Sequence, residues 1–337
     1  VGIIDATAFT KHIVKGPGAS RFLDWFTCNK LPKVGRINLT YALTDAGTTR
    51  TEYTIVRLKR DEFYLVSAGA WTDYDADFLI KSAQDKSPEF GYIEIQDVTS
   101  QWGVFAVAGP KSRDFLSQLV RDEDQDTALS NARFPWLSFK RLELEMCPIN
   151  AIRVSYTGEL GWELHHPIEY QNHIFDKLMD AGTDLGLKPY GIRAMNSLRV
   201  EKSYKLVGTE LSIEYSPYES GLDRFIHPNK GSFIGLEALN QWREKGFANK
   251  LVTLEIHNTT DADVLGNNPI YENGSVIGRA TGGDFGFRLN KSIALGMVKP
   301  ELGNPGQKLK IDILGKMHEA TILDESPYDP ENKLLRA

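Results

Sequence analysis

Apolar residues in the first 120 positions alternate between strand-like and helix-like spacing. The stretch FTKHIVKGPGASRFLDWF predicts a strand, a Gly-Pro turn at Gly16-Pro17, and an amphipathic helix that carries Phe22 and Phe26. The stretch WGVFAVAGPKSRDFLSQLV repeats this order, with its own turn at Gly109-Pro110. The repetition predicts two related α/β lobes. The mixture of strands and helices predicts an α+β fold with largely antiparallel sheets.

The pattern changes near Asn249, where short β-rich segments are separated by Gly, Asn and Pro. The pair Asn273-Gly274 between two such segments predicts a two-residue hairpin turn. Many short strands with turn residues between them indicate a small β-barrel or sandwich. We therefore predict two regions, residues 1–247 with two α+β lobes and residues 248–337 with a β-rich domain and an extended tail.

The stretch YTGELGWE, from Tyr156 to Glu163, combines two glycines, two carboxylates and two aromatic rings. Its surroundings predict two strands joined by a turn near Gly158–Gly161. With Tyr156 on the first strand and Glu163 on the second, the hairpin would bring a phenol ring and a carboxylate together. Such a carboxylate could bind a flat heterocycle with two parallel N–H donors. The alternative is a solvated turn at Glu159 and a surface strand residue at Glu163.

Composition narrows the possible functions. The chain has 337 residues, enough for two or more packed units, and its 41% hydrophobic and 25% charged content is that of a globular protein. The net charge of −6 and the lack of a Lys/Arg-rich run argue against nucleic-acid binding. No apolar run reaches membrane-spanning length. The two cysteines fit a reducing compartment, and the seven scattered histidines predict no metal site.

Three stretches carry a family resemblance. YTGELGWE, AMNSLRVEK and FIGLEAL resemble the folate-binding aminomethyltransferases, which include the T-protein of the glycine cleavage system. The longer stretches INAIRVSYTGELGWELHH and NPGQKLKIDILGK are similar to the carboxy-terminal half of dimethylglycine dehydrogenase and of the sarcosine dehydrogenases and oxidases. The resemblance covers nearly the whole chain. It implies a three-lobed fold, in which two related α/β lobes and a C-terminal β-barrel surround a central folate pocket.

The resemblance also implies roles for particular residues. Glu163 matches the glutamate that binds the pterin ring, and Tyr156 matches the tyrosine that lines the pocket. Thr51 and Glu52 stand where T-proteins have an aspartate pair, so we predict Glu52 as the catalytic residue for proton transfer or amine orientation. A one-residue offset on a strand would turn Glu52 away from the pocket. Arg288 ends a glycine-rich loop that could close over the folate or simply turn a barrel corner.

The implied activity is tetrahydrofolate-dependent one-carbon transfer. A methylene or formaldehyde unit from a demethylated amine, such as dimethylglycine or sarcosine, would be captured as 5,10-methylene-tetrahydrofolate. The oxidising step would need FAD on a domain before Val1, or on a partner chain. The alternatives are a folate-binding scaffold without transfer activity and the folate module of another demethylase, acting on trimethylamine N-oxide, a sulfonium or an aryl ether. The expected location is the cytoplasm, or the mitochondrial matrix in a eukaryote, and a homo-oligomer is left open.

Overall fold

The computed structural model describes residues 1–121, 125–259 and 262–337. In chain order the strands are β1 (Gly2–Asp5), β2 (Thr10–Lys15), β3 (Ile37–Leu43), β4 (Thr49–Lys59), β5 (Glu62–Ser67), β6 (Glu94–Asp97), β7 (Trp102–Ala108), β8 (Phe139–Leu144), β9 (Cys147–Ile152), β10 (Gly161–Pro167), β11 (Lys188–Pro189), β12 (Lys250–Ile256), β13 (Pro269–Glu272), β14 (Ser275–Gly286), β15 (Lys291–Val298), β16 (Lys308–Ile313) and β17 (Lys316–Leu323). The α-helices are α1 (Ala19–Phe26), α2 (Thr72–Phe90), α3 (Ser112–Ser117), α4 (Gln125–Ala128), α5 (Gln171–Gly182), α6 (Ile192–Val200) and α7 (Leu236–Lys245).

The N-terminal sheet has the strand order β3-β4-β5-β2-β6, and its neighbouring strands are antiparallel. Helices α1 and α2 cover one face of this sheet, above a core built largely from aromatic rings. The predicted strand, turn and helix at the start of the chain are confirmed, since β2 ends at Lys15 and α1 begins at Ala19. The main core side chains here are Phe22, Phe26, Tyr53, Phe63 and Leu65.

The central sheet has the strand order β11-β1-β7-β10-β9-β8, with β1 and β11 parallel and the other neighbours antiparallel. Helices α3 and α5 lie on one face of it, over Trp162 and Leu164 of β10. The predicted repeat is confirmed, because β7 leads into α3 as β2 leads into α1. Gly16 and Gly109 make the two turns with φ of 118° and 136°, values that favour glycine.

The two sheets face each other through their uncovered sides. Ile37, Val56 and Tyr64 of the N-terminal sheet form one apolar cluster with Ile152 of the central sheet. The result is a four-layer arrangement of helices, sheet, sheet and helices. Ile152 is the partner of Glu163 across β9 and β10, and paired residues of antiparallel strands point to the same side. Glu163 therefore faces the N-terminal sheet.

The predicted hairpin is partly wrong. β9 and β10 do pair, but residue 152 ends the first strand, and residues 153–160 form a long connection. Tyr156 lies in this connection and does not face Glu163 across the strand pair. The connection is shaped by bonds to distant parts of the chain: Tyr156 Oη donates to the carbonyl oxygen of Lys205, over 2.6 Å.

The C-terminal part is a closed barrel with the strand order β12-β15-β14-β13-β16-β17. Asn273 and Gly274 join β13 to β14 with φ of 49° and 80°, as the type I′ hairpin turn requires. The mixed α/β fold and the barrel are thus confirmed. The first barrel strand starts at Lys250; the domain division between residues 247 and 248 stays a prediction. Among the described residues, no helix is long and apolar enough to cross a membrane.

Trp162 gives a test of this packing. Its side chain is 1% exposed, and it lies in the core between the central sheet and its helices. Replacing it in Trp162→Ala should lower the free energy of unfolding by about 3–5 kcal/mol, because it leaves a large cavity. The control is Met146→Ala, since Met146 is 68% exposed. Denaturant titration should find the control close to wild type; equal effects of both variants would contradict the packing.

Candidate functional site

Glu163 is an acidic side chain between the two sheets. Its neighbours Trp162 and Leu164 point into the helix-covered core, so the two-residue period of the strand turns Glu163 to the opposite face. His165 lies on that same face, two residues further along β10. The His165 Nε2 atom is 3.1 Å from Glu163 Oε2, and the Glu163 side chain is 15% exposed. Glu163 is thus enclosed but retains some accessible surface.

Tyr64 of the N-terminal sheet completes this arrangement. Its Oη atom is 2.9 Å from His165 Nδ1, and the two rings meet edge to face with centroids 5.4 Å apart. Burial, and next the charge of Glu163, raise the pKa of the Tyr64 phenol well above its usual value, so the phenol keeps its proton. Tyr64 therefore bridges the N-terminal sheet to the histidine beside Glu163.

The second oxygen of the Glu163 carboxylate is available. Within residues 1–121, 125–259 and 262–337, no group donates a hydrogen bond to Glu163 Oε1. Tyr190 is close by: burial raises the pKa of its phenol to about 12, and the Glu163 charge adds to the increase. An enclosed carboxylate with one open oxygen is suited to a ligand that brings its own N–H donors.

Tyr156 lies beside a second group of polar residues. Its ring stacks on Tyr204, with centroids 5.9 Å apart and planes inclined by 19°. Burial raises the pKa of the Tyr156 phenol, the Arg199 guanidinium opposes this increase, and the Glu52 carboxylate adds to it. Tyr156 and Glu52 are therefore near each other, although they are more than one hundred residues apart in the sequence.

Glu52 lies on β4, directly opposite Tyr41 on β3. Burial raises the pKa of the Glu52 carboxyl to about 7, while the Tyr41 hydroxyl and the Lys205 ammonium act in the opposite direction. A carboxyl group with this pKa can both accept and release a proton near neutral pH. The arrangement gives Glu52 the electrostatic properties expected of a general base.

Thr51 explains the direction in which Glu52 points. Thr51 Oγ1 donates to Asp75 Oδ2 on α2, over 2.8 Å, so Thr51 faces the helix layer. Because neighbouring residues on a strand alternate sides, Glu52 faces the other way, toward Tyr41 and Tyr156. The offset that would have turned Glu52 into the helix layer does not occur.

Arg288 lies in the turn after β14, and protein groups engage its guanidinium. Nε donates to Glu201, Nη1 donates to Glu159 Oε1 over 2.8 Å, and Nη2 donates to the carbonyl oxygen of Leu198 over 2.8 Å. The guanidinium also lies 3.7 Å from the ring centroid of Tyr328. These contacts favour the barrel-corner alternative, in which Arg288 joins the barrel to the connection before β10.

The tail after β17 also contacts the connection formed by residues 153–160. The Lys202 side chain is fully buried, and its Nζ donates to the carbonyl oxygens of Tyr328 and Asp329, over 3.0 and 2.7 Å. Tyr328 Oη donates to Glu159 Oε1 over 2.6 Å. Glu159 is therefore an anchor of the connection and not a solvated turn.

The barrel is joined to the α/β lobes through α6. Asn196 Nδ2 donates to Asp284 Oδ2 on β14 over 2.9 Å, and the Asn196 side-chain oxygen accepts from Arg199 Nε over 2.9 Å. Arg199 Nη1 in turn donates to Glu210 Oε2 over 3.1 Å. This partly buried chain of polar groups fixes Arg199, which lies close to Tyr156, relative to the barrel.

Two family models match this chain. The GCVT N-terminal domain matches residues 1–230, and the glycine cleavage T-protein C-terminal barrel domain matches residues 249–329. The chain belongs to the glycine cleavage T-protein family of aminomethyltransferases. The family, the fold and the aminomethyltransferase-type enzyme module predicted from the sequence are confirmed.

Several members of this family are similar over nearly the whole chain. Rat dimethylglycine dehydrogenase is 36% identical over 96% of the chain, mouse sarcosine dehydrogenase is 30% identical over 99%, and an aminomethyltransferase of Desulfitobacterium hafniense is 31% identical over 97%. The chain spans 37% and 38% of the two dehydrogenases and 86% of the bacterial protein. Aminomethyltransferase T from Bartonella henselae has the same fold, with a TM-score of 0.85 at 22% identity over 98% of this chain and 86% of that one.

Sequence reasoning missed several residues near the two carboxylates of this T-protein family member. No sequence motif contains Tyr64, Tyr190 or Lys205. Only the fold brings the two tyrosines close to Glu163 and the lysine close to Glu52. His165 did have a signal, because residues two apart on a strand share a face, and His165 follows Glu163 at that spacing. The adjacent His166 faces the opposite side of β10, where its Nε2 atom is 2.6 Å from Gln171 Oε1.

The motif glycine Gly158 gives a test of the connection. Its φ is 78°, and a Cβ atom there would lie 2.4 Å from Cγ of the buried Lys202. Gly186 has a similar φ of 68° but open space around it. Gly186→Ala should cost about 1 kcal/mol of stability through its backbone alone. Gly158→Ala should cost about 1–3 kcal/mol more because of the steric clash. Equal melting temperatures for both variants would show that the Lys202 contact is unimportant.

Proposed function

We propose that this protein is a tetrahydrofolate-dependent one-carbon transferase. The observation that carries the proposal is Glu163, an enclosed carboxylate whose Oε1 atom accepts no hydrogen bond from the described residues. A pterin ring presents neighbouring N–H and NH₂ donors, and a carboxylate can accept both in a charge-assisted pair. The family membership supports the same conclusion, since related proteins carry the name aminomethyltransferase.

The residues of this chain fit the group that the proposal requires. Glu163 would hold the pterin edge, and Tyr156 would line the pocket beside it. Bound tetrahydrofolate supplies two amine nitrogens that accept the one-carbon unit, giving 5,10-methylene-tetrahydrofolate as the product. Arg288 is not included in the proposed folate contacts, because its donors are already engaged by Glu201, Glu159 and the Leu198 carbonyl.

Glu52 is the proposed proton-transfer residue. Its raised pKa of about 7 leaves a substantial fraction ionised at neutral pH. Glu52 is half-buried, so its carboxyl group is partly shielded from bulk water and remains accessible to a bound reactant. No covalent bond between the protein and the one-carbon unit is needed; the protein positions the reactants and moves the proton.

The donor of the one-carbon unit belongs to the proposal as well. We propose the iminium formed by oxidation of a methylated amine of the dimethylglycine or sarcosine type, or the formaldehyde released from it, because relatives named for these amines are similar over nearly the whole chain. The chain spans little more than a third of those relatives, so the oxidation itself, with its FAD, is assigned to a further domain or a partner chain.

Glu163 and Glu52 should affect different steps. Glu163→Gln should weaken binding of 5-formyltetrahydrofolate by about 10- to 100-fold, because the amide replaces a charged acceptor with a donor. Glu52→Gln should bind within about threefold of wild type but transfer formaldehyde to tetrahydrofolate about 100-fold more slowly or worse. Calorimetry and a formaldehyde-capture assay measure the two effects.

Glu169→Gln is the matched control, since Glu169 is an exposed carboxylate just after β10. It should leave both binding and transfer unchanged. Folate binding without any rate enhancement by the wild-type protein would identify a scaffold and contradict the transferase proposal. Wild-type protein that binds no folate would contradict both.

The transfer rate should depend on pH through Glu52. Below a pH of about 7 the carboxyl group is protonated and cannot act as a base, so the rate should fall by about tenfold per pH unit. Above that pH the rate should level off. The pH–rate profile of Glu52→Gln should lack this fall in rate at acidic pH. If the variant shows the same fall as the wild type, the titrating group is not Glu52.

A further inference from the structure

We propose that His165 is a positioning residue of the folate site, and that Tyr64 fixes its orientation so that one Glu163 oxygen stays directed toward the ligand. This inference rests on the proposed function, because it concerns the residue that is proposed to hold the pterin edge. It starts from the chain of contacts between Tyr64, His165 and Glu163, which crosses from one sheet to the other.

The direction of the hydrogen bonds follows from the chemistry of the three groups. A carboxylate only accepts, so the proton in the 3.1 Å contact is on His165 Nε2 and is donated to Glu163 Oε2. The Tyr64 phenol keeps its proton and donates it to His165 Nδ1 over 2.9 Å. A neutral imidazole with its proton on Nε2 satisfies both contacts. Tyr64 thereby selects the tautomer that can donate to Glu163.

Burial makes this arrangement rigid. His165 is 0% exposed and Tyr64 is 2% exposed, so neither ring can turn without disturbing the packing between the sheets. The side chain of Glu163 would otherwise rotate about three single bonds. A bond to Oε2 from a fixed donor limits that rotation and leaves Oε1 as the free acceptor. Supporting contacts of this kind determine how well a binding group is oriented.

The arrangement also affects which ligand is preferred. A ligand that donates to Glu163 gains more affinity when the carboxylate is held in place before binding, because less conformational entropy is lost. Loss of the His165 donor should therefore weaken the binding of ligands that carry the 2-amino group more than the binding of ligands that lack it. If His165 were purely structural, its loss would weaken the binding of both ligands by the same factor.

The test compares 5-formyltetrahydrofolate with its 2-desamino-2-methyl analogue by calorimetry. His165→Leu should lower the affinity for 5-formyltetrahydrofolate by about tenfold or more and the affinity for the analogue by less than about twofold. His165→Gln keeps an N–H near the Nε2 position and should recover most of the affinity. The control is His166→Gln, since His166 faces the opposite side of β10 and should leave the preference unchanged.

A second measurement starts from the wild-type protein and reports the tautomer of His165 directly. Nitrogen-15 NMR of the wild-type protein should find His165 as the tautomer protonated on Nε2, and Tyr64→Phe should reduce its population. The opposite tautomer in wild-type protein would overturn the inference. Unchanged affinity in His165→Leu, or equal loss for both ligands, would overturn it while the proposed function stands. Wild-type protein that binds neither ligand would overturn both.

Discussion

Glu163 is a carboxylate between two β-sheets, and a carboxylate in that position requires hydrogen-bond donors. Much of the local structure follows from this requirement. The strand period sends Trp162 and Leu164 into the apolar core and leaves Glu163 on the polar side, where His165 donates to one oxygen. The protein supplies part of the stabilisation that the carboxylate needs. A bound ligand with N–H donors would supply the rest, so incomplete satisfaction in the free protein is what suits the site to binding.

The other elements hold the two carboxylates in their places. The N-terminal sheet carries Glu52 and Tyr64, and the central sheet carries Glu163, so the relative position of the sheets determines the relative position of the site residues. The barrel is joined to α6 by the bond between Asp284 and Asn196. The barrel and the tail also hold the connection that contains Tyr156, through the bonds of Arg288 and Tyr328 to Glu159. Folding and function are therefore coupled: the apolar cluster between the sheets stabilises the protein and orients its polar groups.

Local patterns in the sequence predicted the elements that depend on local rules. The repeated strand, Gly-Pro turn and helix, the Asn273-Gly274 turn and the C-terminal barrel all follow from spacing and turn chemistry. The face on which Glu163 lies also follows from alternation along β10. Contacts between distant segments could not be predicted. Tyr64 meets His165 across 101 positions, and Arg288 meets Glu159 across 129, because the packing of sheets and barrel brings these pairs together. The prediction that Tyr156 lies on a strand was wrong because its position depends on a bond to the distant Lys205 carbonyl, which no local pattern indicates.

The central claim is that Glu163 binds the pterin ring through Oε1, which accepts no hydrogen bond within the part of the chain that the structure describes. A crystal structure of the complex with 5-formyltetrahydrofolate tests it most directly. The account predicts that the 2-amino edge of the pterin lies within hydrogen-bond distance of Glu163 Oε1, while His165 Nε2 remains on Oε2. A pterin ring bound elsewhere, or one that leaves Glu163 in contact with His165 alone, would contradict it.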